Sequence, residues 1–185
     1  METGTQGLND LADVAEEASA GSTGSSARCV VMMCGIAGSG KSTYAQALER
    51  RGYVRLSIDE VIWTRFGRDA AEFDSAEYES HKAAAEEALR KRLVDLMEAG
   101  QPVVLDYSFW RRTARDDYKA LIESHGCRWK LVYLKASPET LRRRLAVRNK
   151  LHGANSVTVS EDLLNRYVAG FEEPVDEGEL TILQD

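Results

Sequence analysis

The sequence predicts an α/β domain in which a parallel sheet lies between layers of helix. Short apolar runs recur at Cys29 to Cys34, Val54 to Leu56, Val103 to Leu105, Leu131 to Leu134 and, more weakly, Leu180 to Leu183. Helical signals fill the intervals, so strand and helix alternate. Strands separated by helices pair in parallel through right-handed crossovers, which buries both faces of the sheet. The chain has 185 residues, enough for one domain with a sizeable core but cramped for two. In such a sheet, ligands sit beyond the carboxyl ends of the strands.

The elements are well punctuated. After the first strand, a helix is expected from about Lys41 to Arg50. Asp74 with Glu77 forms a capping box for a long helix over 75–99, with Ala84, Ala88, Leu89, Leu93, Leu96 and Met97 at helical spacing, and Gly100 then Pro102 stop it. Another helix runs from Thr113 to Ser124 and closes at Gly126. Ser137, Pro138 and Glu139 supply cap, first-turn proline and first-turn acid for the next, and Ser160 followed by Glu161 and Asp162 starts a further one.

Residues 1–27 are rich in Gly, Ser, Thr and Ala, hold five acids, no Lys or Arg and no aromatic residue, and read as a disordered acidic tail. The segment 8–18 could form a transient helix, too short to stand alone. The folded domain is expected over 28–185. The formal charge of −6 belongs mostly to the tail, because the remainder holds 24 bases against 25 acids. Within the domain, six bases in 135–150 lie beside an acid-rich terminus, which suggests a phosphate site and not a nucleic-acid stripe. The chain lacks a membrane-length apolar run and the basic and apolar regions of a signal peptide, so a cytoplasmic protein is expected. Cys29, Cys34 and Cys127 read as buried reduced thiols, and His81, His125 and His152 show no metal spacing, so no structural metal is expected.

Chemistry first shows in GIAGSGKST, residues 35–43, which fits G-x-x-x-x-G-K-[ST]. Gly35, Gly38 and Gly40 let successive amide N–H groups turn around an anion at a helix N-terminus. Ser39 and Thr43 complete the phosphate-binding stretch, Lys41 reaches the β- and γ-phosphates, and Ser42 ligates Mg²⁺. A strand leads into the motif and a helix leads out, the context that a nucleotide triphosphate site requires. GTPase signatures are missing: Asp106 is followed by Tyr107, Ser108 and Phe109, and Asn149-Lys150 continues without an aspartate. The short kinases remain.

In VRLSIDEVIWTRFG, Asp59 lies just past a short strand, where a carboxylate faces the γ-phosphate side of the cleft and can accept the proton of an attacking hydroxyl. The same residue suits a helix N-cap, and both roles can coexist. Arg65 could face the same cleft or the surface. Asp106 ends the third strand in the Walker B pattern, where it would hold Mg²⁺ or orient the acceptor; a turn or cap is its plainer role. Tyr107, Phe109 and Trp110 could wall an acceptor pocket or belong to the core, and Arg111, Arg112 and Arg115 include solvated helix positions. Arg144 and Arg148 share a helix face, which is either a solvated basic surface or a pair that binds the nucleotide and stabilises charge on the transferred phosphoryl group. Residues 149–160 read as a lid loop that excludes water on closing.

GIAGSGKST, LSIDEVI, VVLDYSFWRR, RLAVRN and VSEDLLNRYVAGFEEP together resemble the small P-loop kinases of the AAA_33 type. That group is similar to the kinase domain of phage polynucleotide kinase, chloramphenicol phosphotransferase and zeta-toxin-like kinases. The resemblance covers roughly residues 29–175. It implies a P-loop NTPase three-layer sandwich with strand order 2-3-1-4-5, phosphate and Mg²⁺ binding by Lys41 and Ser42, Asp59 as general base, Asp106 ending the next strand and Arg148 as the lid arginine. Polynucleotide kinases tend to carry an arginine three residues after the base, where this chain has Ile62. The expectation is therefore an ATP- and Mg²⁺-dependent kinase acting on a hydroxyl of a small molecule, conceivably an antibiotic or sugar-like metabolite. A nucleic-acid 5′-hydroxyl kinase and a non-enzymatic NTP-binding switch are the alternatives.

Overall fold

The computed structural model describes residues 29–66, 75–150 and 158–185. The expected tail, Asp74 of the capping box and residues 151–157 of the lid lie outside the described residues. Strands β1 (Cys29–Cys34), β2 (Val54–Leu56), β3 (Val103–Leu105), β4 (Arg128–Lys135) and β5 (Glu179–Leu183) form one all-parallel sheet in the order β2-β3-β1-β4-β5. This is the fold class and strand order expected. The helices are α1 (Lys41–Glu49), α2 (Ile58–Phe66), α3 (Ser75–Glu98), α4 (Arg112–Ser124), α5 (Pro138–Arg148) and α6 (Glu161–Gly170). Among the described residues, no helix is long and apolar enough to cross a membrane.

The central strand β1 is buried along its whole length because side chains alternate between two cores. Val30, Met32 and Cys34 join Leu89, Leu93, Leu96 and Met97 of α3 and Tyr118 and Ile122 of α4. Val31 and Met33 face Tyr44, Ala45 and Leu48 of α1 on the other side. A third, smaller cluster matters most for the site: Leu141 and Leu145 of α5 and Leu164 of α6 pack with Val159 against Ile36 and Ala37 of the glycine-rich loop. It seats the helix carrying the two candidate arginines directly against that loop.

Local capping follows the sequence at two helices. Ser137 Oγ accepts from Thr140 N at 3.2 Å to start α5, and Ser160 Oγ accepts from Leu163 N at 3.2 Å to start α6. At α2 the structure corrects the expectation: Ser57 is the cap, its Oγ accepting from Glu60 N at 3.4 Å, and Asp59 sits inside the first turn. Asp59 is thereby relieved of the capping role. Cys29 and Cys34 are buried thiols, and Cys127 is also buried; burial pushes the Cys34 thiol up to about 11.

Candidate active site

The glycine-rich loop owes its shape to close packing. A Cβ on Gly35 would stand 2.8 Å from both Leu134 O and Ser39 Oγ, and Gly35 has φ +141°, so no other residue fits without displacing the β4 backbone. Gly40, at φ 105°, is the left-handed N-cap that turns the chain into α1. Between them lie Gly38, under Leu145 of α5, and Ser39, only 1% exposed. The Ser39 hydroxyl is buried with no hydrogen-bond partner among the described residues, which a buried polar group tolerates poorly unless a ligand or water completes it. Lys41 Nζ folds back onto the loop and donates to Ile36 O at 3.0 Å. Thr43 is exposed one turn into α1.

Asp106 stands at the carboxyl end of β3, its side chain 2% exposed. Oδ1 accepts from Ser42 Oγ at 3.2 Å and Oδ2 from Arg55 at 2.9 Å. Burial raises the Asp106 carboxyl above the ordinary range, while Lys41, Arg55 and the Ser42 hydrogen bond oppose that rise. Burial likewise lowers Lys41, and Asp106 foremost, with Cys34 and Asp59, sustains its charge. Lys41, Ser42 and Asp106 are thus electrostatically coupled.

Asp59 is open to solvent at the cleft yet hemmed in by protein, and that enclosure raises its carboxyl above the usual range. The Asp106 charge raises it further, while Lys41, Arg148 and Lys82 pull it down. Arg148, at the end of α5, has its charge disfavoured by burial and restored by Asp59 and Tyr167. The structure therefore brings Lys41, Ser42, Asp106, Asp59 and Arg148 into one neighbourhood. Arg144 behaves differently. Its guanidinium donates to Ser39 O at 3.2 Å and Gln184 O at 2.8 Å, tying α5 to the glycine-rich loop and to the chain after β5. Arg65 is exposed at the far end of α2.

Three residues escaped the sequence reading. Tyr78 of α3 and Tyr167 of α6 both have their phenols raised by burial first and by the Asp59 charge second, so they stand around the candidate base. They come from helices distant in sequence, and only the fold assembles them. Arg55, in the middle of β2, reads as an edge-strand surface charge but is 4% exposed.

In the segment after β3 the structure chooses among the roles that the sequence left open. Tyr107 and Phe109 are core residues packed edge-on to Tyr118, whereas Trp110 meets Tyr167 at 5.2 Å between ring centroids. Arg111 and Arg112 are exposed, but Arg115 is wholly buried. It pairs with Glu177 at 2.6 and 2.7 Å and donates to Phe109 O at 2.8 Å and Glu172 O at 2.9 Å. Arg111 and Arg112 are thus the solvated positions expected within this group, and Arg115 is a tie between the loop after Asp106 and the C-terminal segment. Beside residues 151–157, the Asn149 side chain brackets Val159, donating to its carbonyl at 2.9 Å and accepting from its N–H at 3.1 Å. The two flanks of that segment are thereby joined at the end of α5.

Comparison with known proteins agrees with this architecture. Residues 30–174 match AAA_33, an AAA domain family. The chain belongs to the AAA_33 family. A UPF0200 protein of Pyrobaculum aerophilum is 28% identical over 121 residues, covering 65% of this chain and 67% of its own length. A candidate kinase of Chloroflexus aurantiacus, solved by crystallography, shares the fold at TM-score 0.66, with 19% identity and 85% of each chain covered. An APS kinase of Mycobacterium tuberculosis, solved with AMPPNP and APS, shares it at TM-score 0.57, with 16% identity over 86% of this chain and 90% of that one. This AAA_33 member therefore has a kinase-like P-loop fold.

Proposed function

We propose that this protein transfers the γ-phosphoryl group of ATP to a hydroxyl of a small molecule. The observation that carries the reading is Asp59: a carboxylate raised by its enclosure, facing Lys41, Asp106 and Arg148 beyond the carboxyl ends of β2 and β3. A nucleotide switch has no use for a base there, whereas a kinase does. The residues present fit a bound triphosphate and its metal. The glycine-rich turn, the orphaned Ser39 hydroxyl and the Lys41 ammonium suit phosphate oxygens, and the Ser42 hydroxyl with the Asp106 carboxylate is a hard oxygen pair of the kind Mg²⁺ takes. When bound, Mg²⁺ neutralises charge on the phosphates.

In the proposed reaction the acceptor hydroxyl gives its proton to Asp59 as its oxygen bonds to the γ-phosphorus. The bond from that phosphorus to the bridging oxygen breaks, and ADP leaves with the electron pair. Lys41 and Arg148 stabilise charge on the equatorial oxygens, the main work of such sites. Arg144 acts at one remove, holding α5 on the loop through Ser39 O. Tyr78 and Tyr167 present phenols near Asp59, which suits a hydroxyl-rich acceptor. The small acceptor, and not a nucleic-acid 5′ end, is favoured by Ile62: it is 2% exposed and packed against Ala85, so no cation occupies that turn of α2.

The test is an acceptor screen with γ-labelled ATP, covering sugars, polyols, aminoglycoside-like compounds and 5′-hydroxyl oligonucleotides. Asp59→Asn should bind nucleotide like the unaltered protein and transfer label about 10²-fold or more slowly. Undiminished transfer by that variant would remove Asp59 from the chemistry, and label appearing only on oligonucleotides would overturn the small-acceptor reading.

A further inference from the structure

Arg55 is the least expected residue in the site. In the parallel pairing of β2 with β3 it lies opposite Val104, so its side chain shares a face with Asp106, two residues further along. That face is covered by α1, the helix bearing Ser42 and Glu49. The guanidinium donates to Asp106 Oδ2 at 2.9 Å, to Glu49 at 3.3 Å in the last turn of α1, and to Glu60 in the first turn of α2. A planar fork with five donors can hold three carboxylates at fixed angles, which a lysine cannot.

Two consequences follow from the geometry. With Oδ2 held by Arg55, the other oxygen of Asp106 is the one that faces Ser42, so the pair that suits a metal is oriented before any ligand arrives. Meanwhile the Glu60 arm fixes the turn of helix that carries Asp59, one residue earlier.

We propose that Arg55 is a positioning residue that presents Asp106 to the nucleotide-bound metal ion and sets the candidate base Asp59 against the same site. The inference rests on the phosphoryl-transfer reading above. Groups that orient a metal-holding carboxylate typically change metal affinity or activity about 10–100-fold when removed.

The experiment measures Mn²⁺ binding by electron paramagnetic resonance at saturating ADP, alongside transfer kinetics. Arg55→Met should weaken Mn²⁺ binding by about 10–100-fold, and lower kcat with little change in KM for ATP. If that variant does not fold, Arg55→Gln, which is shorter but polar and uncharged, takes its place with the same expectation. Glu60→Gln should leave Mn²⁺ binding near that of the unaltered protein while slowing transfer, because only the α2 arm is cut. A folded Arg55 variant with unchanged Mn²⁺ affinity overturns the inference and leaves the kinase reading standing. Glu60→Gln with unchanged kcat removes the link to Asp59. Absence of metal-dependent nucleotide binding in the unaltered protein would overturn both readings together.

Discussion

Glu177→Ala should destabilise the fold by about 3–5 kcal/mol, the usual cost of removing one partner of a buried ion pair. The magnitude follows from what is left behind. Arg115 is 0% exposed and loses both of its charged hydrogen bonds, of 2.6 and 2.7 Å, while Lys119 loses its 3.3 Å contact with the same carboxylate. Arg115 keeps only the carbonyls of Phe109 and Glu172, which satisfy donors but not charge. For a chain of this size each kcal/mol moves the melting temperature by about 2–4 °C, so the expected drop is about 6–20 °C. The assay is a thermal melt by circular dichroism across pH. Hydrogen bonds from Arg115 hold the Glu177 carboxyl below its ordinary value of 4.5. Its folded value is depressed, so the stabilisation is complete above 4.5 and is lost as pH falls through the folded value. The gap between variant and unaltered protein should therefore be full at neutral pH and close in acid. A variant melting within about 2 °C of the unaltered protein at pH 7 would refute the reasoning.

Why some of the site could be read from sequence and some could not comes down to the range of the interactions. The strand runs and the placing of Lys41, Ser42, Asp59 and Asp106 depend on local facts: an apolar run, a glycine-rich turn, an acid at a strand end. Each is complete within about ten residues. The strand order, a long-range property, is implied only by the family resemblance. Ser137 and Ser160 were legible as caps for the same reason, and the Ser57 cap lost out to Asp59 only because both suit the same turn.

The remainder is long-range. Arg111, Arg112 and Arg115 cannot be told apart from sequence, and nothing within a helical turn reveals that Glu177, 62 residues after Arg115, will pair with that one. Arg144 shares a helix face with Arg148 in any helical wheel, yet its hydrogen-bond partners Ser39 and Gln184 lie 105 and 40 residues away. Arg55 sits in a strand of three residues, too short for alternation to distinguish a buried face from an exposed one. Its burial becomes visible only once β3 lies beside it and α1 above it. For Arg55 and Arg115 the reason is shared: a buried cation is decided by its counter-charges and these come from elsewhere in the fold.

Two further predictions test the parts that were legible. Removing residues 1–27 should leave the melting temperature and the transfer rate unchanged, since β1 begins at Cys29 and its pairing with β3 and β4 is complete from that residue onward; a lower rate or melting point in the shortened protein would show that the tail contacts the domain. Lys41→Ala should abolish tight ATP binding, measured by isothermal titration, yet barely alter the fold. The two halves of that expectation have separate causes. Among the described residues Lys41 Nζ donates to Ile36 O alone, a bond from a charged group worth about 1.5–3 kcal/mol, and burial offsets it by working against the charge. Removing it therefore costs little stability and even relieves a desolvated cation, although Asp106 then keeps only Arg55 and Ser42 as partners. With a triphosphate present the balance reverses, because the ammonium would exchange one neutral carbonyl for several anionic phosphate oxygens, adding charge–charge attraction in a partly buried site to its hydrogen bonds. A Lys41→Ala protein that melts normally and still binds ATP tightly would mean that the loop's amides alone hold the phosphates, and the assignment of this lysine would fall.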